Sequence, residues 1–402
     1  MKNKLTRRSF FKTGALAAVG LVAGCAALPI AETPTPSVLS AATATVAVTA
    51  PATAAATAAA ISSVTSTPQA TATVLPPVTA TALPAATPTV LPTFTALPAL
   101  TATPLDVTPA RTDLIAHYPQ TASSVVSIVT NSGVWEGDKI LSDVVLEMLD
   151  VTLVQLTGIN SALAAWQTLF DPGEVIGIKV NTISRYTTTP EVAYAVAQRL
   201  QEAGIPPEQI IIFDRTDREL AARGFTLSAD GPGMRCRGAK AWEQSTGVSG
   251  STQRIHDAML SCDALINIPP IKQHGTSGFT SAMKNHYGTV RDPGALHGGD
   301  CDPYIAALNA LPVIRDKTRL IVCDALRTCP YDWDHMVREN LIMMSFDPVA
   351  NDTVARQVLL DRCQADGRKG TYILERSHYL DTAFKLGLGA DVAHIEERRK
   401  LL

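Results

Sequence analysis

Three lysines sit beside asparagine or histidine in short polar segments: Lys179-Val180-Asn181, Lys272-Gln273-His274 and Lys284-Asn285-His286. An ammonium group neutralises an anion, an asparagine amide orients one, and a histidine exchanges protons near neutral pH. The grouping predicts one shared site for a small anionic substrate or cofactor. In it Lys179, Lys272 and Lys284 bind the charge, Asn181 and Asn285 orient the ligand, and His274 or His286 moves protons. Any one of these lysines alone would read as a solvated surface cation; the argument rests on their number, because perturbed charges gather in functional clefts. Gly275, Gly278 and Gly288 permit close backbone approach, and Thr280 is expected to open a helix whose free N–H groups face an anion. A second helix start follows Thr187-Thr188-Thr189.

The same loops offer a competing use. His274, His286 and His297, the last followed by Asp300-Cys301-Asp302, have the donor types of a transition-metal site, and a metal-dependent oxidoreductase is one form the enzyme would take. Their spacing matches neither His-Glu-x-x-His nor paired Cys-x-x-Cys, and each histidine singly reads as a hydrogen-bonded structural residue. Asp302-Pro303 and Asp347-Pro348 read as helix N-caps before a first-turn proline. After Cys25 the cysteines are 236, 262, 301, 323, 329 and 363. Cys262 and Cys323 lie in apolar strands and read as core, no disulfide is expected to be essential, and the spacing is not that of an iron-sulfur cluster.

These residues need a scaffold, and the hydrophobic pattern supplies an α/β one. Strands are predicted at 124–130, 174–180, 209–214, 264–268, 320–324 and 341–345. Helices are predicted at 138–156, 189–203, 253–261, 280–287, 303–311, 348–363 and 375–386. Strands separated by helices imply crossovers, hence a largely parallel central sheet with helices on both faces and ligands at the carboxyl ends of its strands. No strand is followed by a glycine-rich dinucleotide or phosphate-loop fingerprint.

Composition divides the 402 residues into unlike parts. The chain carries 34 Lys+Arg against 37 Asp+Glu, a net charge of -3. Without the five basic residues before Cys25 and the acids Glu32 and Asp106, residues 111–402 carry -6. An acidic globular part gives no support for nucleic-acid binding. Residues 1–25 read as an address. Arg7-Arg8 followed by Phe10 and Lys12 resembles the twin-arginine export signal, and the apolar segment from Gly14 to Gly24 is too short to span a bilayer. Leu21-Val22-Ala23-Gly24-Cys25 resembles a lipoprotein processing site, with Cys25 acylated; the alternative is an incidental cysteine and ordinary cleavage after Ala27. The expected partners are the twin-arginine translocase, the membrane through the lipid anchor, and a small anionic ligand. The expected location is the outer face of the cytoplasmic membrane or the periplasm and cell envelope. Residues 26–110, almost wholly Ala, Thr, Pro, Val, Ser and Leu, are expected to be a disordered stalk, because prolines forbid helix and small side chains bury too little surface to offset ordering entropy. The rest, 111–402, is expected to form the α/β domain.

Several segments of that domain resemble one family. Val175-Ile-Gly-Ile-Lys-Val-Asn181, Thr188-Thr-Pro-Glu-Val192, Asp263-Ala-Leu-Ile-Asn-Ile-Pro269 with Lys272-Gln-His274, Lys284-Asn-His-Tyr-Gly288 and Phe346-Asp-Pro-Val-Ala-Asn-Asp352 are similar to the bacterial and archaeal domain of unknown function 362. The resemblance runs over roughly residues 125–395 in the family's order. It implies an α/β fold with a site near the Lys-x-His and Lys-Asn stretches, and no particular reaction. Many relatives carry an added ferredoxin-like segment whose cysteines this chain lacks. The sequence thus points to an exported, lipid-anchored enzyme for a small anion. The other class is a non-catalytic solute-binding or accessory lipoprotein using the same pocket.

Overall fold

The β-rich run Ser124–Thr130 forms strand β1, and the computed structural model describes residues 123–402. The signal segment with Cys25 and the linker 26–110 lie outside the described residues. Nine further strands complete a ten-stranded sheet: β2 Ile176–Lys179, β3 Ile210–Phe213, β4 Arg235–Arg237, β5 Ala264–Asn267, β6 Pro270–His274, β7 Gly278–Thr280, β8 Thr318–Cys329, β9 Leu341–Ser345 and β10 Ile395–Leu401. The order is β10-β1-β9-β8-β5-β2-β3-β4, with β6 pairing to β8 and carrying β7. Pairing is parallel except for β9 against its two neighbours and the β6–β7 hairpin.

Helices cover both faces because the central strands carry apolar residues on both of their faces. Ile210 and Ile212 enter one core with Met148 and Leu149 of α1 (Ser142–Thr157), Trp166 of α2 (Ala162–Leu169) and Val196 of α3 (Pro190–Glu202). Ile211 and Phe213 enter the other with Met283 of α4 (Ala282–Asn285) and Val354 and Leu359 of α5 (Pro348–Ala365). Each side chain so buried contributes about 1.5–3 kcal/mol over its exposed state, so a strand unable to alternate its partners would lose half of this. No single helix among the described residues is long and apolar enough to cross a membrane. The pair α1–α2 has the composition but is bent by 66° and packs its apolar side into the first core.

Local expectations fail where long-range pairing wins. Residues 253–261 are not one helix: Ser251–His256 pairs with Trp242–Val248 in a hairpin, and only Asp257–Ser261 is helical. The Pro269-Pro270 break begins a new strand, so Lys272 and His274 stand on β6 and not in a loop. Thr280 ends β7, and α4 starts two residues later. Asp347 caps α5 through the amides of Val349 and Ala350, as its proline-adjacent position predicts. Asp302 does not act this way, since the helix Tyr304–Asn309 is preceded by Pro303 and the Asp302 carboxylate accepts from Thr382 instead. The expected helix at 375–386 is two, Thr371–Glu375 and Tyr379–Lys385.

Candidate functional site

Strand β2 sits at a reversal in the winding. Strands β3 and β4 lie on one side of it and β5 on the other, so the connections that leave β2 and β5 diverge and a crevice opens at their carboxyl ends. Lys179 is the last residue of β2, Asn267 the last of β5, and Asp214 follows β3 directly. A cavity of about 310 Å³ opens there, within the size range of small-ligand sites. Its wall includes Lys179, Asn181, Asp214, Lys272, His274, Lys284, Asn285, Tyr287, His297 and Trp333. All three lysines and both asparagines singled out in the sequence therefore meet at one hollow. His286 does not line it.

The lysines differ in what holds them. Lys179 is wholly buried, and its ammonium donates to Asp214 Oδ1 at 2.8 Å, Val180 O at 2.6 Å and Asn285 Oδ1 at 3.3 Å. Three donors meet three acceptors, and the charge is cancelled by Asp214. Burial alone would raise the Asp214 carboxyl, but the Lys179 charge and hydrogen bonds from Lys179 and Thr182 outweigh it and hold it below the ordinary range. Lys179 is thus a structural cation and not an open anion ligand. Gly288 packs on this pair: a Cβ there would lie 2.4 Å from Asp214 Oδ1 and 2.7 Å from Lys179 Nζ.

Lys272 and Lys284 make no ion pair among the described residues. Lys272, 2% exposed, donates to Asn181 Oδ1 at 2.9 Å and Ile183 O at 2.7 Å, which leaves one N–H for the cavity. Burial pushes its ammonium down to about 7, with Asp214 only partly opposing. Lys284, 5% exposed, lies 3.3 Å from His297 Nε2, 3.7 Å from Cys301 Sγ and 3.7 Å above the Tyr287 ring. Burial lowers it to about 8 against the opposing pull of Cys301. Two buried cations with neutral partners only are costly unless something negative joins them.

The asparagines tie Lys179 and Lys272 together. Asn181 accepts from Lys272 and donates to Asn285 Oδ1 at 3.0 Å; Asn285 accepts from Lys179 as well and donates to Asn267 Oδ1 at 2.7 Å. The Asn285 amide donates to Asn267 Oδ1 and Lys179 O and so keeps no free N–H for an anion; its part is to fix Lys179 and Asn181. The expected helix ends are occupied too. Asp352 accepts from the amides of Ala282 and Met283 at the start of α4, and Asp324 from the amide and hydroxyl of Thr189 at the start of α3. Those N–H groups already face protein carboxylates, which removes the two helix-terminal anion sites expected from the sequence.

The histidines are corrected most. His274 Nδ1 accepts from the amides of Thr276 and Ser277 at 3.1 and 3.2 Å, so its proton sits on Nε2. Burial and then Lys284 lower its titration to about 3, which favours a neutral ring with Nε2–H free to donate and speaks against the expected proton shuttle. His286 is fully buried: Nε2 lies 3.2 Å from the Asn267 amide, Nδ1 has no partner among the described residues, and burial holds it at about 3. His297 stacks on His274 at 5.5 Å between ring centres, donates from Nδ1 to Pro293 O at 2.8 Å, and turns Nε2 to Lys284. These three do not fit a metal. His274 offers a protonated Nε2, His286 lies outside the cavity, and His297 faces a cation. Among the described residues no three His, Cys, Asp or Glu side chains are grouped to hold one. All six cysteines there are buried and unpaired, Cys262 and Cys323 in the core as expected.

Sequence reasoning missed Asp214, Asp324, Tyr287 and Trp333 as site or supporting residues. Asp214 was discoverable, since it ends an apolar strand where parallel sheets place their ligands. Trp333 carried no signal; it lines the cavity and stacks on Tyr186, whose hydroxyl donates to Trp333 O at 2.9 Å.

Two solved structures show a distant likeness to this chain. A Thermotoga maritima protein is 12% identical with a TM-score of 0.36, over 63% of this chain and 60% of that one. The lactate racemase apoprotein of Thermoanaerobacterium thermosaccharolyticum is 11% identical with a TM-score of 0.31, over 55% and 54%. Both likenesses are too distant to inform the chemistry. No curated protein matches the sequence. Residues 176–357, which hold every lysine and asparagine of the cavity wall named above, match the family described as domain of unknown function (DUF362), the family that the motifs resemble.

Proposed function

We propose that the chain is an exported, lipid-anchored enzyme that binds a small anionic substrate in this cavity and exchanges a proton with it. One observation carries the reading: Lys272 and Lys284 are buried beside a hollow of about 310 Å³ and have no carboxylate partner of their own among the described residues. An anion entering the hollow supplies the missing charge. Amines lowered to about 7 and 8 gain and lose protons near neutral pH, so acid–base work passes from the histidines to a lysine. The neutral His274 Nε2–H then serves as a hydrogen-bond donor to substrate oxygen, and Asn181, itself bonded to Asn285, holds Lys272 in place. In this exchange one charged lysine acts as the acid: its ammonium gives a proton to the substrate and is left neutral, the form that its burial favours.

Export and anchoring rest on Arg7, Arg8 and Cys25. Mass spectrometry of the membrane fraction should find acyl chains on Cys25, absent in Cys25→Ser, and Arg7→Lys/Arg8→Lys should leave the protein in the cytoplasm. For the site, purified protein is mixed with a small-molecule extract and the anions are compared before and after by mass spectrometry. An enzyme depletes one anion and produces another, and Lys272→Met/Lys284→Met loses this. Capture of an unchanged anion would instead favour the solute-binding class, and no captured or converted anion would refute the reading.

A further inference from the structure

The charges around the cavity are unequal in a way that specifies the ligand further, given the reading above. Four cations and two carboxylates line it: Lys179, Arg215, Lys272 and Lys284 against Asp214 and Glu219. Lys179 is matched by Asp214, and Arg215 by Glu219. Two positive charges remain, and they are held in separate places. The hydrogen-bond partners of Lys272 are Asn181 and Ile183; those of Lys284 are His297 and Cys301, and no partner is shared. His274 neighbours both. It is two residues from Lys272 on β6, its ring stacks on the His297 that contacts Lys284, and both cations act on it.

We propose that the ligand carries two acidic groups, one for Lys272 and one for Lys284, joined by a short uncharged segment that passes the His274 Nε2–H. A single acidic group reaches one lysine and leaves the other buried without a counter-charge. A lone doubly charged group would have to meet both ammonium groups at once, although they share no hydrogen-bond partner. The neutral wall formed by Tyr287, His297 and Trp333 suits an uncharged middle.

Calorimetry with the purified protein at pH 7 tests this with four kinds of probe: acetate and propionate, the dicarboxylates malonate, succinate and glutarate, inorganic phosphate, and a neutral diamide of succinate. One dicarboxylate is expected to bind on the order of 30-fold or more tightly than any monocarboxylate, the value of one buried charge pair. Lys272→Met and Lys284→Met should each reduce that dicarboxylate to the level of the monocarboxylates, with circular dichroism confirming the fold. The wild-type series stands by itself if a variant fails to fold. Propionate equal to every dicarboxylate, or phosphate tighter than all of them, overturns the two-group ligand while leaving an anion site. Binding of no anion at all overturns the function proposed above and this inference with it.

Discussion

Replacing Asp214 by Asn should separate the structural lysine from the two that face the ligand. Asp214 is 4% exposed and Lys179 wholly buried, and their atoms meet at 2.8 Å. The change keeps the volume but removes the negative charge, and it sets an amide donor against either Lys179 Nζ or the Thr182 groups that now donate to Oδ2 at 2.6 and 2.7 Å. Breaking one half of a buried pair costs about 3–5 kcal/mol. In a domain of this size that lowers Tm by roughly 6–20 °C. Denaturant unfolding and calorimetry measure it directly. The sign with pH follows from the depressed folded value of Asp214: its contribution is present above the ordinary carboxylate value near ~4 and is lost as pH falls through the folded one. Wild type should therefore lose on acidification an increment that Asp214→Asn lacks throughout. Lys179→Met/Asp214→Leu, which removes both charges, should recover much of the loss. A single variant within about 1 kcal/mol of wild type, or a double variant as unstable as the two singles summed, would refute the pairing.

Three further outcomes follow from the same geometry. The ligand-free protein should grow more stable from about pH 7 upward, because Lys272 and Lys284 titrate at about 7 and 8 when folded and near ~10.4 when unfolded, so the unfolded chain holds more protons over that range; Lys272→Met should flatten this limb in denaturant titrations and stabilise the protein at pH 6 by a few kcal/mol. Nitrogen-15 spectra of the imidazoles should show His274 protonated on Nε2 and His297 on Nδ1, with neither His274 nor His286 titrating between pH 5 and 8; a His274 that charges near pH 6.5 would return the proton-shuttle role to it. Gly288→Ala should cost about 1–3 kcal/mol, since its Cβ would press on Asp214 and Lys179, and in the Lys179→Met/Asp214→Leu background that cost should change.

Much of the scaffold was legible in the residues alone. The all-apolar run Ile210–Phe213 needs partners on both faces, and the spacing of strands and helices then requires a mainly parallel sheet whose ligands lie at its carboxyl ends. Residue types also marked Lys179, Lys272, Lys284, Asn181 and Asn285, all of which reach that edge. Their roles were not legible. Lys179 finds its counter-ion 35 residues away and Asn285 106 residues away, Asp324 and Asp352 reach across the chain to occupy both helix starts, and the amides of Thr276 and Ser277 determine which nitrogen of His274 carries the proton. Periodicity and composition are local properties, and they determine the elements and the chemistry available. Whether a charge is cancelled, left bare or forbidden depends on what tertiary packing brings within a few ångströms of it and on how much water that packing removes.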